Sequence, residues 1–215
     1  MNEKQTKLLI ILAVTAGGVL LISNLAATKL WSFYGIAVDG GIVLFPISYI
    51  LGDVIMELYG RKISRVIIWQ SLAINLLAVV TFWLVGKLPE HSGWGLQKSY
   101  QDILGFAPRI IFASLTAYLV SQLLNNLVFE KIKKETAEQK LWLRTLGSSM
   151  VARLFDTIIF ETIAFYGVLS IGQFGQQAVF AYGAGMILEV LLTPLTYLVV
   201  GIFRRYGEFK NDALT

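Results

Sequence analysis

The chain has 215 residues, of which 56% are hydrophobic and only 15% charged, with a mean hydropathy of +0.67. A soluble domain covers its exterior with roughly 25% charged residues, so a water-soluble fold is excluded and lipid is the solvent for the apolar stretches. With 0 cysteines, disulfide frameworks, iron-sulfur clusters and thiolate zinc sites are excluded too, and the net charge of +4 gathers at the ends of apolar segments, where membrane topology rather than nucleic acid accounts for it.

A helix crosses the hydrocarbon core with about 20 apolar residues. Six segments come near that length, at 8–28, 41–59, 64–86, 109–129, 148–171 and 178–203. They predict an all-α membrane protein with six transmembrane helices, residues 1–215 forming a single transmembrane domain. The first segment follows Lys4 and Lys7 and ends near Ala26 and Ala27, as a signal peptide would, but its length and the polar Ser23, Asn24 and Lys29 fit an uncleaved helix. The second contains Pro46 and Gly52 immediately before Asp53. Proline removes a helical hydrogen bond and can leave a carbonyl free to meet a solute, so a kink beside Asp53 is expected. The third carries Asn75, and the loop from Lys87 to Pro108 holds His91, the one histidine, beside Pro89, Ser92 and Gly93. A lone loop histidine is ordinarily solvated and receives no role. The fourth segment carries Gln122, Asn125 and Asn126, the fifth Arg153, Asp156 and Glu161, and the sixth has Gly183, Gly185 and Pro194 around Glu189.

Orientation follows from Lys and Arg, which short cytoplasmic loops retain. Thirteen of the 18 fall on one side: Lys4 and Lys7, then Arg61, Lys62 and Arg65, then Lys131, Lys133, Lys134, Lys140 and Arg144, then Arg204, Arg205 and Lys210. The other side has Lys29, Lys87, Lys98 and Arg109, and Arg153 falls inside a span. Both termini are therefore expected on the cytoplasmic face of the inner membrane. Two inverted three-helix halves are also suggested. Asp53 and Glu57 precede Tyr59-Gly60 in the second segment as Asp156 and Glu161 precede Tyr166-Gly167 in the fifth, and Ser23-Asn24-Leu25 is echoed by Ser121-Gln122-Leu123.

The ionisable residues inside the spans carry the functional reading. A charge at the bilayer centre costs ~2.5–3.5 kcal/mol on insertion scales, so such groups face the bundle interior or a wet path. Internal pairing accounts for some: Arg153 and Asp156 are three apart, and Glu57 has Arg61 one turn on. No cation stands one turn from Asp53, Glu161 or Glu189, and these acids are either protonated or held for a ligand. Amides such as Asn24, Gln122 and Asn125 join helices in most membrane proteins, yet together they supply donors as well as acceptors. Gly and Ala near Glu189 equally serve close packing, as Ala181 and Gly185 do at four-residue spacing.

These same residues carry a family resemblance. Ser23-Asn24-Leu25 to Lys29, the run Phe45-Pro46-Ile47-Ser48-Tyr49-Ile50-Leu51-Gly52-Asp53 with Glu57 and Tyr59-Gly60, Ser121-Gln122, Trp142, Arg144, Ser148-Ser149, Asp156-Thr157-Ile158-Ile159-Phe160 and Ala164-Phe165 resemble the queuosine precursor transporter family. The resemblance covers nearly the whole chain. It implies a six-helix importer of 7-cyano-7-deazaguanine, of related 7-deazaguanines or of queuine for tRNA modification, and a distant likeness to the capturing subunits of vitamin transporters. The family's Ser-Gln motif is followed by an Asp where this chain has Asn125.

A guanine-like ring presents a ring N–H beside an exocyclic amine, two donors that one carboxylate can accept, and a carbonyl that needs a donor. The expected binding residues are therefore Asp53, Asp156, Glu161 and Glu189 as acceptors and Asn24, Gln122, Asn125 and Arg153 as donors. Phe45 and Tyr49 are expected to stack on the ring, although interface anchoring is the default role of aromatic residues. The expectation is an alternating-access carrier or facilitator, binding its solute near the midplane between the halves, with no cofactor and no covalent chemistry. Its partners would be a purine-like small molecule and the lipid membrane, not nucleic acid, and a homodimer is compatible with the same pattern. Two other readings are a substrate-binding subunit that needs a separate ATPase and an intramembrane hydrolase using paired carboxylates such as Asp53 and Asp156.

Overall fold

The computed structural model describes residues 1–135 and 141–209. In chain order these form α1 (Glu3–Ala26), β1 (Leu30–Phe33), β2 (Ile36–Asp39), a 3-10 turn (Gly40–Leu44), α2 (Phe45–Gly86), α3 (Gln97–Leu104), α4 (Ala107–Glu135), α5 (Leu141–Phe165) and α6 (Ile171–Tyr206). Among the described residues, four helical stretches are long and apolar enough to cross a membrane: Glu3–Ala26, Gly40–Gly86, Gln97–Ser121 and Ile171–Tyr206. The second is 47 residues long, the length of two crossings at about 20 residues each. Helix α5 has membrane length at 25 residues but carries Arg153, Asp156 and Glu161.

The first and last helices start with reciprocal caps. Asn2 Oδ1 accepts from the Gln5 amide at 2.8 Å while Gln5 Oε1 accepts from the Asn2 amide at 3.1 Å, satisfying two of the donors that a helix start strands. Ser170 and Gln173 repeat the arrangement before α6, the Ser170 amide donating to Gln173 Oε1 at 3.1 Å and the Gln173 amide to Ser170 Oγ at 3.4 Å.

The described chain divides into two compact units. One comprises Met1–Ala27, Gly40–Leu88 and the chain from Gly185 onward. Its core is Leu8 and Leu12 of α1, Val54, Ile55 and Ile67 of α2, and Val200 of α6. Lipid tails are as apolar as leucine, so close packing rather than exclusion from water holds such a core. Gly17 contributes directly, because a Cβ there would stand 3.2 Å from Ile74 Cδ1 and 3.6 Å from Ser71 Oγ. Outward, the helices present large apolar side chains such as Val14, Leu77 and Leu198, at 70%, 66% and 58% exposure, which suits contact with lipid and not with water.

The break in α2 falls at Gly60 and not at the expected Pro46 and Gly52. Pro46 sits in the first turn, where its missing N–H is no loss, and no non-helical residue interrupts the helix before Gly60, with φ 75° and ψ 174°. That conformation is open to glycine and essentially closed to other residues. At one end of this unit the two ends of the described chain meet. Asn2 Nδ2 donates to the Gly207 carbonyl at 3.1 Å, Lys4 pairs with Glu208, and the Tyr59 hydroxyl donates to the Gln5 carbonyl at 2.7 Å. Glu57 pairs there with Arg204 at 2.8 Å, a correction to the expected partner Arg61. Hydrophobicity along one helix sees only neighbours in sequence, and 147 residues separate this pair.

The other unit comprises Thr28–Asp39 and Pro89–Ala184. It opens with a β-hairpin, an addition to the expected all-α fold, with Leu30 opposite Asp39 and Phe33 opposite Ile36. Its two-residue turn, Tyr34 and Gly35, has φ of 50° and 86°, the sign pattern of the tight turns that match strand twist. Phe33 packs on Phe180 of α6 with ring centroids 5.5 Å apart. Helices α4 and α5 pack against each other, and Arg109 near the start of α4 donates through Nε to the Ile163 carbonyl at 2.6 Å and through Nη2 to the Tyr166 carbonyl. A guanidinium there satisfies carbonyls that the end of α5 strands and meets the negative pole of the helix. The chain then turns at Gly167, φ 78°.

Gly60→Ala is expected to lower unfolding stability by about 1–3 kcal/mol through backbone strain. Gly52→Ala, at a helical position with nothing within 4 Å of the added Cβ, should be neutral or stabilising by up to ~1 kcal/mol. Thermal unfolding of the two variants in one detergent checks the contrast.

Candidate functional site

The buried polar groups fall in two sets, one in each unit. In the first, Asn24 of α1 donates through Nδ2 to Asn75 Oδ1 of α2 at 2.8 Å, Asn75 Nδ2 donates to the Ser71 carbonyl at 2.8 Å, and Ser71 Oγ donates to the Ile67 carbonyl at 2.9 Å. The chain of donors follows from spacing: Ile67, Ser71 and Asn75 are four apart and stack on one helix face. The side chain of Asn75 is wholly buried, and the set has the form of an interhelical joint.

Other predicted site residues of this unit lie apart from that joint. Phe45 and Tyr49 are half-buried in the first turns of α2, with ring centroids 6.0 Å apart in an edge-to-face arrangement. Asp53 is exposed. Glu189 is half-buried, and its carbonyl accepts from Thr193 Oγ1 at 2.7 Å, one residue before Pro194. His91 accepts the Gly93 amide at 3.2 Å in an exposed turn.

In the second unit the acids of α5 face different partners. Asp156 accepts from Ser121 Oγ of α4 at 3.2 Å and lies within electrostatic reach of Arg153. Glu161, five residues on, is 1% exposed. The groups that act on its carboxyl are Asp39, at the end of β2, and Gln177, in the second turn of α6. Gln177 is likewise 1% exposed and Asp39 is buried. Among the described residues, Glu161 Oε2 and both polar atoms of the Gln177 side chain have no partner in hydrogen-bond geometry, although the carboxamide stands near enough to act on the carboxyl. Ala164 and Phe165 close the same region with no exposure, and Phe165 has Phe106 and Phe160 around it at 6.3 and 6.1 Å.

The structure thus brings Glu161 together with two residues outside the predicted set, Asp39 and Gln177. The alternation of Trp31-Ser32-Phe33 and Ile36-Ala37-Val38 about Tyr34-Gly35 is a hairpin signal that would have carried Asp39 inward. Gln177 has no such signal, standing next to Gln176 in an ordinary helical stretch. The side chains of Gln122 and Asn125 lie outside the described residues.

Apolar helices of membrane length that hold buried amides and carboxyls define a helical, multi-pass membrane protein. Comparison with known proteins gives the class its family. Residues 39–199 match the family model described as "Putative vitamin uptake transporter", and the chain belongs to that family of membrane transporters. A protein of Bacillus subtilis named "Probable queuosine precursor transporter" is 34% identical over 190 residues, 86% of this chain and 82% of its own. One of the same name from Haemophilus influenzae is 26% identical over 68% of this chain and 59% of its own, and the "Queuosine precursor transporter" of Escherichia coli is 25% identical over 63% and 58%. No solved structure matches the chain.

A double-mutant cycle over Asn24→Ala and Asn75→Ala tests the joint. The expected coupling is about 0.6–2 kcal/mol, the range of interhelical side-chain hydrogen bonds, read from unfolding in detergent.

Proposed function

We propose that this protein imports queuosine precursors, 7-cyano-7-deazaguanine foremost and related 7-deazaguanines or queuine besides, through six transmembrane helices with both termini in the cytoplasm. The observation that carries this reading is the likeness to the Bacillus subtilis relative along 86% of the chain. Three structural features agree with it. The 47-residue stretch around Gly60 is long enough for two crossings, the charged α5 adds a further one, and the two ends of the described chain meet at one end of a unit.

Acids and amides inside these helices are the proposed solute contacts, with Asp53, Asp156 and Glu161 as acceptors and Arg153, Gln122 and Asn125 as donors. Asp156 is held by Ser121, which leaves a carboxylate with further lone pairs to offer a ring N–H. Cells that cannot make queuosine precursors should regain queuosine-modified tRNA when given 7-cyano-7-deazaguanine and this protein. Failure under good expression would sink the substrate assignment. Asp53→Asn and Asp156→Asn should each abolish that uptake while leaving membrane insertion intact, and normal uptake in both variants returns these acids to a structural role. A chain without cysteines also lends itself to a topology test. A single cysteine at position 2, and another at 208, should resist membrane-impermeant thiol reagents in intact cells and react after lysis.

A further inference from the structure

We infer that Glu161 and Gln177 are the recognition pair for the hydrogen-bonding edge of the imported base, the Glu161 carboxylate accepting adjacent N–H donors and the Gln177 carboxamide donating to the neighbouring carbonyl. The inference rests on the import reading above and assigns the contacts that set its specificity.

Three facts carry it. A buried polar atom without a partner costs roughly 1–3 kcal/mol and is rare in native structures. Here one carboxyl oxygen and both ends of a carboxamide are left so among the described residues, all on two side chains that are each 1% exposed. The stranded atoms also form a coherent set: Oε2 of Glu161 is an acceptor, Nε2 of Gln177 a donor, and Oε1 of Gln177 a second acceptor. Two acceptors and one donor on neighbouring side chains complement a planar solute that presents amine, ring N–H and carbonyl along one edge. Finally, the elements that bring them together are braced. Arg109 ties down the end of α5, and the Ser170–Gln173 cap begins α6 ahead of Gln177.

Other buried polar groups carry less. Asn24 and Asn75 satisfy each other, and Thr196 Oγ1 is a single hydroxyl without a hydrogen-bond partner among the described residues. Asp39, which acts on Glu161, stands beside the pair and favours donor-rich solutes over acceptor-rich ones.

The test is competition for uptake of labelled 7-cyano-7-deazaguanine into cells carrying the full-length protein. Unlabelled competitors are 7-deazaguanine, its analogue without the 2-amino group and its analogue without the 6-oxo group. The intact protein should prefer the parent to either analogue by about tenfold to a hundredfold, as expected when a buried polar partner is left unmet. Glu161→Gln should erase the preference for the 2-amino group, and Gln177→Leu should weaken the preference for the 6-oxo group, whose removal also takes away the ring N–H, each with normal protein in the membrane fraction. Should either variant fail to insert, Glu161→Asp and Gln177→Asn shift the same atoms by one methylene and should weaken the same preference. If the intact protein takes up no base at all, the import reading fails. If it imports, and these variants keep both preferences, the recognition pair is overturned while the import reading stands.

Discussion

A peptide group within hydrocarbon has no water to bond, so every departure from helix must be satisfied locally or wait for the polar zone. Most of the described structure follows from that constraint. Where helices begin, the Asn2–Gln5 and Ser170–Gln173 pairs return the stranded amides to side chains. Where α5 ends, the guanidinium of Arg109 takes its carbonyls. Where α2 is interrupted, glycine alone supplies the conformation. The extended segment Leu30–Asp39 pairs with itself through a two-residue turn, so its strands satisfy each other.

The same constraint separates the polar side chains into two kinds. Asn24 and Asn75 answer each other across two helices, and Ser71 and Asn75 each return a donor to the carbonyl one turn before. These groups are complete without a solute. Glu161 and Gln177 are adjacent, buried and incomplete. An incomplete group in hydrocarbon is expensive in a way that an incomplete group at a protein surface is not, because no water can relieve it.

Apolar helices of membrane length, four of them among the described residues, were legible in the sequence because membrane crossing depends on length and hydropathy, properties of contiguous residues. Helices α1, α4 and α6 extend past the apolar segments at 8–28, 109–129 and 178–203 into their charged flanks, since hydropathy marks the lipid and not the helix. What could not be read this way depends on partners distant in the chain. Glu57 finds Arg204 rather than the residue one turn away, and Glu161 has Asp39 and Gln177 for neighbours. The hairpin was hidden for a different reason: its strands are four residues each and lie between two apolar segments, where an averaging window dissolves a period of two. The placement of a proline was misread because its effect depends on position. At the first turn of α2 it helps to start a helix that it would have broken a few residues later.

The Tyr-Gly echo joins these threads. Glycines at 60 and 167 take nearly the same φ, 75° and 78°, each directly after a tyrosine, as Gly35 does in the hairpin turn at 86°. The acids before each turn have fared differently. Glu57 meets Arg204 at a half-exposed end, where an ion pair contributes about 0–1 kcal/mol and a solute has little to gain. Glu161 is sealed among Ala164, Phe165 and Gln177, where the same carboxyl lacks a cation among the groups acting on it. Two similar motifs thus serve different ends. A charge compensated from within the protein holds helices together, whereas a buried acceptor without a hydrogen-bond partner among the described residues is satisfied only when a donor is brought to it.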